Sequence, residues 1–384
     1  MLLFSNVSKR QMSAADTLVW CKLKTFSTKV QKFSAKMLLN QAATLCLSAF
    51  FAIALVGCEC SSCYYDGDEN GSGHSENITR APIISAGDDN SFVFLDDGRL
   101  YAAGYNSHSQ LGLGDKSSHA IFTQVSLDSK NIIAIESNFY HSLILSYSGM
   151  VYAAGINNYG QLGISDNSSS AFKEATDLGD KNITAIAIGI DYSLALSYEG
   201  RVYVAGNSSY GQLGLGGSSR GFREASDLSD KNITYIAAGS IHSFAISDEG
   251  KVYTAGYNEY GQLGLGDNNN RDIFTEITDL RDKNITAIAV GGLHTIALSL
   301  DGKVYVTGNN GYGQLGFENK NNHFLFTEIT DLRDKNITAV SAGSYHSFAF
   351  SNESKIYASG ANQYGQLGLG DNNHRRAFTQ VLLP

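Results

Sequence analysis

The sequence predicts an all-β protein, a β-propeller of about six four-stranded blades closed by its N- and C-terminal strands. Three observations carry that expectation. The tripeptide Gln-Leu-Gly recurs at Gln110, Gln161, Gln212, Gln262, Gln314 and Gln366, with spacings of 51, 51, 50, 52 and 52 residues. A glycine opens each of these loops, at Gly104, Gly155, Gly206, Gly256, Gly308 and Gly360. Between loops, every unit holds short β-branched and aromatic runs bounded by turn residues, and none has a helical period. A repeat of about 50 residues is one supersecondary unit that cannot bury its faces alone, so it must stack against its neighbours.

The unit that starts at Gly256 shows the pattern. A polar loop leads through Gln262-Leu263-Gly264-Leu265-Gly266-Asp267 to the run Phe274-Thr275-Glu276-Ile277. Asn284 to Val290 reads as a second strand, and Gly291-Gly292 breaks it. His294 to Ser299 is a third strand, Asp301-Gly302 is a hairpin turn, and Lys303 to Thr307 is a fourth. Four short antiparallel strands of this kind make one propeller blade. The repeat region begins midway through a unit, at Ile83, and ends on the run Phe378 to Val381. One strand from the C-terminus is therefore expected to join three from the N-terminus and close the ring.

Composition agrees with tight turns and short strands: 40 glycines, 21 tyrosines and 19 phenylalanines against two prolines. The net charge is −9. Residues 1–57 hold seven lysines and arginines against Asp16 alone, a net of +6, so the remainder carries −15. A body that acidic repels phosphate backbones, and no nucleic-acid partner is expected. All five cysteines precede residue 64, so the repeats contain neither disulfides nor thiol chemistry.

The first 82 residues divide into three parts. Residues 1–36 are basic. Residues 37–58 are uncharged and apolar, long enough for a signal-peptide core or a membrane anchor. They end in Leu55-Val56-Gly57-Cys58, which resembles a bacterial lipoprotein signal. Acylation at Cys58 would place two or three chains at one point, enough for stable anchoring. Preceding lysines orient the repeats away from the cytoplasm, which places residues 83–384 in the cell envelope or on its outer surface. Residues 59–82 read as a flexible polar tether.

The loop Gly256-Tyr257-Asn258 with Gln262 to Asp267, and the segment Ala238-Gly239-Ser240-Ile241-His242-Ser243, resemble the regulator of chromosome condensation repeat. The resemblance covers residues 83–384. It implies a β-propeller, typically of seven blades, where this chain has six. It also implies a binding scaffold whose partners are proteins. Family members include a Ran exchange factor with a β-wedge insert, and no unit here is long enough to hold one. Others use interface tryptophans or basic tails, which the repeats here lack. Secreted inhibitors in the family bind their target through the loop face, and an acidic propeller without insertions is most similar to that style.

Four histidines, His141, His242, His294 and His346, share one repeat position, which Asn90 and Tyr192 occupy in the other units. Replacement by Asn and Tyr suits a hydrogen-bonding role to backbone rather than metal ligation. The leucines of Gln-Leu-Gly are expected to plug blade interfaces. Asn182, Asn232, Asn284 and Asn336 each begin an Asn-x-Thr acceptor, with a turn residue as the bland alternative.

No unique carboxylate pair, phosphate loop or nucleophile set appears, so neither catalysis, a cofactor nor a metal is expected. Residues shared by all blades build blades; function is expected where blades differ. The candidates for partner binding are the loop aromatics Tyr159, Tyr210, Tyr260, Tyr312 and Tyr364, with His108 in the first unit. The variable segments after Gln-Leu-Gly add Arg271, His323, Phe324, His374 and Arg375.

Overall fold

A computed structural model describes residues 82–127 and 131–383. The basic N-terminal region, the apolar segment with Cys58 and most of the tether lie outside the described residues. The repeats form six four-stranded antiparallel sheets. Blade 1 is β1 (Ile83–Ala86), β2 (Asn90–Phe94), β3 (Leu100–Gly104) and β4 (His119–Gln124). Blade 2 is β5 (Ile132–Ser137), β6 (His141–Ser146), β7 (Val151–Ile156) and β8 (Ser168–Glu174). Blade 3 is β9 (Ile183–Ile188), β10 (Tyr192–Ser197), β11 (Val202–Gly206) and β12 (Ser219–Glu224). Blade 4 is β13 (Ile233–Ala238), β14 (His242–Ser247), β15 (Val252–Gly256) and β16 (Arg271–Glu276). Blade 5 is β17 (Ile285–Val290), β18 (His294–Ser299), β19 (Val304–Gly308) and β20 (His323–Glu328). Blade 6 is β21 (Ile337–Ala342), β22 (His346–Ser351), β23 (Ile356–Gly360) and β24 (Arg375–Val381). No helix among the described residues is long and apolar enough to cross a membrane.

First strands of successive blades adjoin one another, so they line the propeller axis, and fourth strands lie outermost. The second strands of blades 2 to 5 are covered on both faces. That is why β6, β10, β14 and β18 are buried at every position and are written in Leu, Ile, Phe, Ala and small hydroxyl residues rather than in strict alternation. Leu111, Leu162, Leu213, Leu263, Leu315 and Leu367 are all essentially inaccessible. Leu213 of blade 3 packs in one cluster with Ile236, Ala245 and Phe274 of blade 4, as expected for an interface plug. Leu213→Ala should therefore cost about 2–5 kcal/mol, measured by denaturant unfolding, because it removes a fully buried side chain from two blades at once.

In five of the six Gln-Leu-Gly loops the glycine is required by a close approach. A Cβ on Gly112, Gly163, Gly214, Gly264 or Gly316 would stand 2.3–2.4 Å from the ring of Phe172, Phe222, Phe274, Phe326 or Phe378 in the next blade. The asparagines of the Asn-x-Thr segments have positive φ of 48–50°. Each threonine hydroxyl donates to a carbonyl of the adjacent strand, as Thr184 does to Leu196 O at 3.2 Å. Both residues thus have structural employment as turn and strand formers.

Ring closure departs from the expectation. The terminal strand β24 pairs with β23, and blade 1 is completed by its own β4. Among the described residues no blade takes strands from both ends of the repeat region. Each unit pairs in sequence order because the long loop after Gln-Leu-Gly returns its fourth strand to the sheet it has just left. Blade 6 and blade 1 also lack the packing that joins every other pair of neighbours. Ile84 on β1 is 72% exposed, Phe122 on β4 is 50% exposed, and Gly368 meets only Val381 of its own blade.

Candidate interaction surface

Antiparallel order puts the β1–β2 and β3–β4 connections of every blade at one end of the propeller. The β2–β3 turns and the inter-blade connections lie at the other. All Gln-Leu-Gly loops and all partner candidates therefore share one end.

Each of those loops is built the same way. The side-chain Oε1 of Gln110, Gln161, Gln212, Gln262, Gln314 and Gln366 accepts from the backbone N–H two residues earlier, at 2.9–3.1 Å. That residue is His108 or one of the five candidate tyrosines, so the glutamine holds the aromatic in place. The glutamine carbonyl then accepts from a hydroxyl of the next blade: Ser142, Ser193, Ser243, Thr295 and Ser347, at 2.6–2.8 Å.

The repeated histidines complete this relay. His141 Nε2 lies 3.0 Å from Ser193 Oγ, His242 Nε2 3.3 Å from Thr295 Oγ1, and His294 Nε2 2.9 Å from Ser347 Oγ. Each hydroxyl proton is committed to a glutamine carbonyl, so the imidazole donates and its Nδ1 carries no proton. Nδ1 is indeed the atom left without a partner in all three. Burial drives these three histidines down to about 3, so they are neutral. The expected partner was a backbone group. The three histidines instead use the neighbour's hydroxyl, whereas Asn90 and Tyr192 reach backbone, at Asn138 O and at Gly239 O and His242 O. His346 is half-exposed and makes no such bond, because its counterpart would be Ser91 of blade 1 across the open seam. No group of three or more metal-ligating side chains occurs among the described residues.

The candidate aromatics separate by exposure. Tyr159, Tyr210 and Tyr312 are about 40% exposed, and Tyr364, with no blade beyond it, is 85% exposed. Tyr260 and His108 are half-buried. His108 sits among Tyr105, Phe139 and Tyr140, and the Tyr105 and Phe139 rings stack 4.8 Å apart. Tyr210 meets Tyr257, and Tyr312 touches both Tyr345 and His374. Sequence reasoning missed Tyr105, Phe139, Tyr257 and Tyr345. Phe139 and Tyr345 lie on the inner hairpin tips and join the surface because those hairpins and the long loops emerge side by side, whereas Tyr105 and Tyr257 directly follow the glycine that opens the loop in blades 1 and 4. Ile190 adds a further exposed apolar side chain at this end. The opposite end exposes Tyr147, Tyr198 and Leu300.

Most of the loop candidates are tied to their own loops. Arg271 pairs with Asp267 at 2.6 Å and donates to Asn269 O. Arg375 pairs with Asp371 at 2.7 Å and donates to Asn373 O. That hydrogen bond from Arg375 holds the Asp371 carboxyl at about 2. His323 stacks on Phe317 and bonds Thr327, and His374 Nδ1 accepts from Asn362 N–H. Phe324 bridges blades, its carbonyl accepting from Gly266 N–H while its ring stays partly exposed. These clamps shape the loops and leave the aromatic edges as the open contact area.

Comparison with known proteins accords with this architecture. The chain is 32% identical to the ultraviolet-B receptor UVR8 of Arabidopsis thaliana over 81% of its length and 72% of the receptor's. It is 36% identical to the human X-linked retinitis pigmentosa GTPase regulator over 78% of this chain, but only 30% of that protein. Among solved structures, human WBSCR16 aligns with a TM-score of 0.71 at 24% identity, covering 78% of this chain and 81% of that one. Yeast RCC1 (Prp20), in its complex with Kap60, aligns at 0.70 and 21%, covering 79% and 75%. These likenesses show a shared fold. The RCC1-like domain signature matches residues 84–383, and the chain belongs to the RCC1-like domain family.

Proposed function

We propose that this propeller is a protein-binding scaffold, presented outside the cytoplasm on a lipid anchor at Cys58, that holds its partner on the loop end. One observation carries the contact face. A rigid, hydrogen-bonded framework exposes tyrosines on successive blades, and rigid aromatics on a fixed base make large contacts at low entropic cost. The anchor rests on the apolar segment and Leu55-Val56-Gly57-Cys58. Fatty-acid labelling of intact cells tests it: label on the wild type and none on Cys58→Ser, with surface cleavage by added protease, is the expected result. An unlabelled, protected wild type overturns the anchor. The contact face is tested separately with Tyr159→Ala, Tyr210→Ala and Tyr312→Ala. Loss of partner capture at unchanged melting temperature supports it, and full retention in the triple variant overturns it.

A second reading, nucleotide exchange on a small Ran-like GTPase, is favoured by the likeness to a relative named as a GTPase regulator. It requires a cytosolic propeller. Accelerated release of labelled GDP from such a GTPase supports this reading, and an unchanged release rate removes it.

A further inference from the structure

The seam between blade 6 and blade 1 leaves both halves of a repeated interface unfilled. Five interfaces define the pattern. In each, the Gln-Leu-Gly glycine of one blade lies under a phenylalanine of the next, and the glutamine carbonyl accepts from a Ser or Thr hydroxyl of the next. The glycine just before the glutamine packs on the next blade's main chain: a Cβ on Gly160, Gly211, Gly261 or Gly313 would stand 2.2–2.6 Å from backbone atoms of Arg220, Arg271, Phe324 or Arg376. At the seam, a Cβ on Gly368 would meet only Val381 and one on Gly365 only Asn372, both within blade 6. On the facing side, Phe122 is 50% exposed, where Phe172, Phe222, Phe274 and Phe326 are at most 9% exposed.

The second strands carry the same signature deeper in the seam. Burial alternates along β22 and β2, where the second strands of blades 2 to 5 are buried throughout. His346 and Phe348 are the partly exposed positions of β22, and Leu143 and Phe244, the counterparts of Phe348, pack against the following blade. Ser91 and Val93 are the partly exposed positions of β2, and Ile144 and Ala245, the counterparts of Val93, pack against the preceding blade. Two apolar faces thus stand open, each written for a neighbour whose chemistry the other five interfaces specify.

An occupant that answers blade 6 needs a phenylalanine to lie over Gly368 and a hydroxyl that donates to the Gln366 carbonyl and accepts from His346. One that answers blade 1 needs a glycine under Phe122 and a carbonyl for the Ser91 hydroxyl. Those are the two faces of a single blade of this repeat. A second copy of the whole chain does not fit: seated by the rotation that relates neighbouring blades, its other five blades would follow around the same axis and overlap the first propeller. We propose that the seam receives one blade of this repeat type from a partner protein, completing the ring through the interface that five pairs of blades already form.

The test adds a fluorescein-labelled synthetic unit, residues 284–329 of blade 5, to the full-length protein and follows anisotropy. This unit carries Phe326 and Thr295 on one face and Gln314-Leu315-Gly316 on the other. The expected result is saturable binding of one unit per chain, weakened about 10-fold or more by Phe326→Ala in the unit and by Phe122→Ala in the protein. Phe122→Ala removes an exposed ring and should leave the melting temperature of the protein alone unchanged. A second measurement covers a free unit too short to hold its fold. The full-length chain continued after Val381 by a copy of residues 278–329 should melt about 5 °C or more above wild type, because two new interfaces form. Equal binding by both alanine variants overturns the proposal, as does the absence of both saturable binding and a rise in melting temperature. A rise in the extended chain without binding of the free unit assigns the seam to a blade of the same chain and removes the partner. A dimer of the unmixed protein in sedimentation, abolished by Phe122→Ala, assigns the seam to a second copy and overturns the proposal as well.

Discussion

Between pH 6.5 and 4.5 the propeller should lose stability steeply, at about 1.4 kcal/mol per pH unit for each of three histidines. His141, His242 and His294 have their pKa driven to about 3 by burial, against 6.5 in an unfolded chain. The folded state binds fewer protons than the unfolded one across that window, so stability is fully present above 6.5 and is lost as pH falls toward 3. Glu136 acts in the opposite sense. Its folded value, raised to about 7 by enclosure on the innermost strand β5, lies above the ordinary 4.5, so its contribution is complete below 4.5 and is lost as pH rises through 7. One group opposes three, and the net slope keeps the histidine sign. Urea unfolding at pH 7.5, 6.5, 5.5 and 4.5 measures it. His294→Asn, which copies the residue that blade 1 uses naturally at this position, should cost about 1 kcal/mol at pH 7.5 through the lost bond to Ser347 and should flatten the net pH slope by about half, since three histidines opposed by Glu136 leave two equal contributions and the variant removes one. A slope identical to wild type would mean that these imidazoles are not the buried proton acceptors.

The second large effect reads the seam. Gly264→Ala places a methyl 2.4 Å from the Phe326 ring at a φ of +70°, so overpacking and left-handed strain add to about 2–4 kcal/mol. Gly368→Ala has nearly the same φ of +68°, but its nearest neighbour is Val381 at 3.6 Å. It should cost only the backbone term, about 1 kcal/mol. The two variants share chemistry and backbone and differ in whether side chains of the following blade, Phe326 foremost and Thr307 behind it, stand against the added methyl. Equal destabilisation would show that Phe122 covers Gly368 in solution and that blade 6 packs on blade 1 as the others pack on their neighbours.

The repeat, its four strands, its Leu plugs and its membership of a propeller family were all legible in the residues, because each is a local pattern repeated six times. Strand content follows from β-branched and aromatic runs, and turns follow from Gly and Asn. A stack is required because a single blade cannot cover both its faces. The glycines before the histidines show the limit of such reading. A glycine such as Gly239 in a sequence is compatible with either left-handed backbone or close contact. The tertiary structure selects contact: a Cβ on Gly239 would meet Val290 and the Gly291 carbonyl of the next blade.

What only the tertiary structure decided concerns partners that are distant in the chain. Which strand β24 joins depends on whether the long loop returns to its own sheet or carries on to another, and nothing in the strand's residues distinguishes the two. The hydroxyl beyond each histidine lies about 50 residues away and becomes its acceptor only when two blades stack. Tyr257, Tyr345 and Phe139 read as unremarkable loop residues until the fold lays the hairpin tips beside the Gln-Leu-Gly loops. The sequence by itself determined the unit and its need for neighbours, because both arise from short-range preference and burial. The tertiary structure decided which faces remain without a neighbour, because that depends on how far six identical rotations carry the last blade around the axis.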